Sequence, residues 1–134
     1  MNELVLDASV VLKWFAGEAE TGLPQARTVR GQYEAGGLLV VVPSLMFLEV
    51  VNIAGRRWLW DEAQLLELAG ALDDLGFDIA EPELRSVAAW TARGLSAYDS
   101  AYVALAEERG LQLLTDDQKV LDVATDLARS LTGQ

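Results

Sequence analysis

The chain has 134 residues, 51% of them hydrophobic, and its 21 Asp and Glu against 10 Lys and Arg leave a formal net charge of −11. It holds no histidine and no cysteine, which excludes Ser-His-Asp and Cys-His catalysis, zinc fingers and histidine acid–base chemistry. An enzyme built from this composition works with carboxylates and a hard metal ion bound through oxygen; the charge lacks the basic footprint of a simple nucleic-acid binder and suits a basic protein partner.

Hydrophobic residues run along the whole length, as in a single domain over residues 1–134. No apolar run approaches the roughly 20 residues of a membrane span. The opening Met1-Asn2-Glu3 has no basic region and is no signal peptide, so a cytoplasmic location is expected. In chain order, residues 3–7 predict a short buried strand, 8–16 a helix and 19–35 a second helix around Pro24. The β-branched run 38–42 predicts a strand covered on both faces. Residues 44–57 predict a helix with Pro43 at its mouth. A further helix over 61–75 is capped by Asp61 and stopped by Gly76. Residues 77–80 form a short strand, 82–93 and 97–109 are helices followed by glycine, 111–114 is a strand and 117–128 a helix. Strands alternating with helices give an α/β class, a three-layer α/β/α arrangement around a mostly parallel sheet of four to five strands. Ligands of such sheets bind beyond the carboxyl ends of the strands.

Four acids are expected near that edge. Asp7 closes the first strand and is equally suited to capping the next helix. Glu49 is the lone charge in an apolar helical stretch, Leu45 to Ala54, and shares a face with Asn52 and Arg56. Such a half-buried carboxylate needs a partner or a metal. Asp99 stands near a helix start with Tyr102, Val103 and Ala106 on its face. The helix dipole helps it by roughly 0.3–1 kcal/mol, less than the several kcal/mol that burial of an unpaired charge costs. Thr115-Asp116-Asp117 follows the last clear strand, and spacing alone leaves open which acid faces the site. Gathered together, these carboxylates repel one another, and Mg2+ or Mn2+ offsets that repulsion.

The order Asp7-Ala8-Ser9-Val10-Val11, Glu49 with Asn52, Ser96 to Ala106 around Asp99, and Thr115-Asp116-Asp117 resembles the PIN domain of VapC toxins, from Leu4 to about Ala124. The resemblance implies a metal-dependent endoribonuclease. Asp7, Glu49, Asp99 and, by the Thr-x-Asp pattern, Asp117 are then its acids, with Ser9, Asn52, Thr115 and Asp116 supporting them. It also implies a homodimer held inactive by a cognate antitoxin, a basic, DNA-binding protein of a VapBC-type pair. A closing strand belongs to the family pattern, and residues 127–134 carry only a weak strand signal. With two lysines in the chain, RNA grip falls to arginines. Arg56, Arg57 and Arg93 lead, with Arg27, Arg30 and Arg85 behind, although most such arginines are solvated surface charges. Trp14, Trp58, Trp60 and Trp90 are expected in core or dimer packing more than in base stacking. Two other readings compete. One is a PIN scaffold kept only for binding. The other is a magnesium-dependent aspartyl-phosphate phosphohydrolase, which needs a second acid where Ser9 stands.

Overall fold

Five strands pair into one all-parallel sheet of order β3-β2-β1-β4-β5: β1 (Asn2–Leu6), β2 (Leu38–Val42), β3 (Asp78–Ile79), β4 (Gln112–Thr115) and β5 (Ala128–Ser130). The computed structural model describes residues 2–17 and 21–132. Side chains alternate between the two faces of a strand, so consecutive burial requires cover on both faces. Val40, Val41 and Val42, and Val5 with Leu6, are all buried. Helices supply that cover: α6 (Ala97–Arg109) packs on β1 and β4, and α2 (Leu23–Glu34) on β2. The remaining helices are α1 (Ala8–Val11), α3 (Leu45–Arg56), α4 (Glu62–Asp73), α5 (Leu84–Ala92) and α7 (Gln118–Val123). Among the described residues no helix is long and apolar enough to cross a membrane.

The chain winds outward from β1 through β2 to β3, then returns to lay β4 on the other side of β1. The reversal lies between β1 and β4, whose last register pair is Leu6 with Leu114. Crevices open at such a reversal, beyond the carboxyl ends of the two strands. The central helix α6 is buried from Ser100 to Ala106. It starts at a Ser96 side chain that accepts from the Asp99 amide and ends at Gly110, whose φ of 64° favours glycine. Asp61 caps α4 reciprocally with Gln64.

Three expected elements are corrected. The helix over 8–16 stops at Val11 and continues as one turn of 3-10 helix, Leu12–Trp14. The helix over 19–35 begins only at Leu23, because Pro24 lacks an amide hydrogen and is tolerated in a first turn rather than an interior; residues 18–20 lie outside the described residues. The helix over 117–128 ends at Val123, and the chain then turns into β5, which pairs with β4 from Leu113↔Ala128 to Thr115↔Ser130. A three-residue edge strand without β-branched residues leaves little trace in sequence. Trp14 is buried against Tyr33 and Phe77, Trp90 is buried, and Trp58 and Trp60 are half-buried with ring centroids 5.2 Å apart.

Candidate active site

Asp7 is the residue at which β1 becomes α1. Its backbone is extended, its side chain caps α1 by accepting from the Ser9 amide at 2.9 Å, and its own amide donates to the Leu114 carbonyl of β4 at 3.3 Å. The Ser9 hydroxyl donates to the same Asp7 oxygen, and the Thr115 hydroxyl donates to the other. These two hydroxyls also accept from the chain leaving β4: the Asp116 amide donates to Ser9 Oγ and the Asp117 amide to Thr115 Oγ1, both at 3.0 Å. Ser9 and Thr115 thereby fasten the exit of β4 to the exit of β1, with the Asp7 carboxylate as the shared acceptor.

Asp99 arrives from the first turn of α6 and Glu49 from the middle of α3. Tyr102, one turn beyond Asp99, donates its hydroxyl to Glu49 Oε1 at 2.6 Å, joining α6 to α3. Asp7, Glu49, Asp99, Asp116 and Asp117 line one cavity of about 290 Å³, together with Tyr102, Lys13 and Arg57. The two adjacent acids differ. Asp116 pairs with Lys13 at 3.5 Å, whereas Asp117 caps α7 by accepting from the Lys119 and Val120 amides, and its charge raises Asp99.

A family model described as the PIN domain matches residues 4–126. The chain belongs to the PIN domain family. All five cavity acids fall inside the matched span, and β5 lies beyond it. The PIN domain resembles two crystal structures in fold. PAE2754 from Pyrobaculum aerophilum superposes with a TM-score of 0.70 at 23% identity, covering 98% of this chain and 93% of that one. FitAcB from Neisseria gonorrhoeae gives a TM-score of 0.68 at 16% identity, covering 98% and 99%. No curated protein matches the sequence significantly.

The acids of this PIN domain are strained electrostatically. Burial pushes the Asp7 carboxyl up to about 6 from its ordinary 3.8, opposed by the bonds from Ser9 and Thr115 and aided by the Asp99 charge. Burial also raises Glu49, with the Tyr102 hydroxyl opposing and Asp99 adding to the rise. Asp99 is raised by burial and then by Asp117. The Tyr102 phenol is driven far up by burial and by Glu49, so it stays a donor. Carboxylates that lift one another's pKa values in this way suit a cation. Among the described residues, no group of three or more carboxylates is set closely enough to hold a metal ion as it stands.

Other sequence-selected residues lie elsewhere. Asn52 and Arg56 are exposed and outside the cavity wall, which Glu49, Ile53 and Arg57 line instead. Arg93 stacks on Trp90 at 4.3 Å, in a different depression. Of the three leading arginines, only Arg57 borders the acids. Sequence reasoning missed Lys13 and the Tyr102 hydroxyl. The signals were a lysine inside the apolar run Val10 to Phe15, and a tyrosine three residues after Asp99 on the same helix face.

Proposed function

We propose that this PIN domain is a metal-dependent endoribonuclease, the toxin of a VapBC-type toxin–antitoxin pair. The observation that carries the reading is the convergence of five carboxylates, from the ends of β1 and β4 and from α3 and α6, on one cavity. PIN domains are generally nucleases.

When bound, Mg2+ or Mn2+ supplies a water of lowered pKa and stabilises charge on the phosphate oxygens. Asp7, Asp99 and Asp117 are the groups we assign to hold it, directly or through its waters, with Glu49 alongside. Ser9 and Thr115 keep both Asp7 oxygens oriented, and Tyr102 fixes Glu49. Asp117 rather than Asp116 is the fourth acid, since Asp116 is engaged by Lys13. The charge of −11 suits a basic antitoxin, and a basic side chain entering the cavity would occupy the cation's place electrostatically. We also assign the toxin a homodimeric state and a cytoplasmic location.

Purified protein should cleave RNA in Mg2+, lose cleavage in EDTA, and lose it in Asp7→Asn and Asp99→Asn while both variants stay folded. Cleavage by both variants at the wild-type rate would refute the assignment. The competing reading is a PIN scaffold that binds without turnover. Intact RNA after incubation of the wild type with Mg2+ would select that reading.

A further inference from the structure

Lys13 does not behave like an ordinary surface lysine. It is one of two lysines in the chain, and its side chain is only 4% exposed. An ammonium is strongly hydrated and its long stem keeps it near water in most proteins. Here the 3-10 turn Leu12–Trp14 follows α1 directly and drives the stem inward from the element that Asp7 caps. The ammonium ends 3.5 Å from Asp116 Oδ2, and both residues belong to the wall of the acid cavity. The Asp116 side chain is 27% exposed, so its end of the pair reaches solvent, and the Lys13 end faces the cavity.

An anionic phosphodiester approaching five carboxylates meets repulsion that falls off slowly in a partly desolvated cleft. A fixed positive group on the wall lowers that barrier where the anion must come closest. Lys13 is such a group, and an ammonium carries three donors, enough for a carboxylate and a phosphate oxygen together. Resting on the nuclease reading above, we propose that the Lys13 ammonium seats a phosphate oxygen of the nucleic-acid substrate, with Asp116 holding the ammonium at the cavity wall until substrate arrives.

The test is RNA affinity, read by anisotropy of a short labelled single-stranded RNA in Ca2+, across a range of salt concentrations. Lys13→Met keeps the stem and removes the charge. Its affinity should fall by about tenfold or more, the usual effect of losing a hydrogen bond to a charged group. Its log–log salt slope should shrink by roughly 0.7, the signature of one phosphate contact on a single strand. Asp116→Asn removes that ion pair and one acidic charge from the wall and should tighten RNA binding. Wild-type affinity and slope in Lys13→Met would overturn the proposal. So would equal weakening by both substitutions, which marks the Lys13–Asp116 pair as structural. If Lys13→Met fails to fold, Lys13→Gln takes its place and is read by the same affinity and salt slope. Cleavage in Mg2+ is scored separately. A wild type that binds RNA through Lys13 without cutting it sinks the nuclease reading and keeps the seat, whereas a wild type that binds no RNA sinks the seat.

Discussion

Replacing Asp7 by asparagine should stabilise the metal-free protein at alkaline pH while removing its proposed activity. The folded-state pKa of Asp7 is pushed up to about 6 from 3.8, chiefly by burial. That is about two pKa units, and at ~1.36 kcal/mol each the charged form weakens the fold by about 3 kcal/mol. A raised folded-state pKa makes the fold bind a proton more tightly than the unfolded chain does. The favourable contribution is therefore complete below pH 3.8 and disappears as pH climbs through about 6. The substituted carboxamide carries no charge, and its oxygen still accepts from the Ser9 amide. Its NH2 cannot accept from a hydroxyl, so one of the Ser9 and Thr115 bonds must reorganise, at about 1 kcal/mol. The net gain at pH 8 is then about 1–2 kcal/mol. Urea unfolding in EDTA at pH 4 and pH 8, at one ionic strength, measures it. The stability difference between variant and wild type should move by about 2.5 kcal/mol in the variant's favour between the two pH values. Mn2+ at about a hundred times its dissociation constant should return about 2.7 kcal/mol to the wild type and little to the variant. A pH-independent difference would refute the claim that Asp7 is buried at an electrostatic cost.

Three further changes probe the surroundings. Thr115→Val removes the donor to Asp7 and leaves the Asp117 amide unpaired, which should cost about 1–3 kcal/mol in urea unfolding; Asp7 loses a bond that lowers its pKa, so the acidic limb of the pH–rate profile should move to higher pH. Tyr102→Phe deletes the 2.6 Å bond to Glu49. Glu49 then rises further, and cleavage should fall more at pH 6 than at pH 8, with stability changed by about 1 kcal/mol. Leu59 holds a φ of 58° and is 79% exposed. A left-handed non-glycine residue costs about 1–2 kcal/mol, and glycine's added freedom in the unfolded chain returns part of that. Leu59→Gly should thus raise stability by up to about 1 kcal/mol, and a clear loss would contradict backbone strain there.

What could be read in advance divides by physical range. Strands β1, β2 and β4 stand out because buried parallel strands are short apolar runs between turn residues. Asp7, Glu49 and Asp99 stand out for the same reason: each is a lone charge against apolar neighbours, and the burial that raises its pKa is a local consequence of those neighbours. Asp116 and Asp117 could not be told apart, since their difference depends on Lys13, far earlier in the chain. The Tyr102–Glu49 bond spans 53 positions and is equally invisible to periodicity. Strand β5 escaped because an edge strand of three residues draws its order from β4, not from its own propensity.

The topology explains why the acids are scattered in sequence yet converge in space. Asp7 and Asp117 follow adjacent parallel strands at the point where the winding reverses, so no connecting segment covers the crevice between them. Helix α6 crosses both strands and presents its N-terminal turn, carrying Asp99, at the same edge. The helix dipole there favours a carboxylate but supplies far less than burial removes. The Ser9 and Thr115 hydroxyls then do the remaining local work, since each serves Asp7 and an amide of the opposite strand exit at once. Loss of either hydroxyl should loosen the site without emptying it of acids, which separates the positioning of carboxylates from their mere presence.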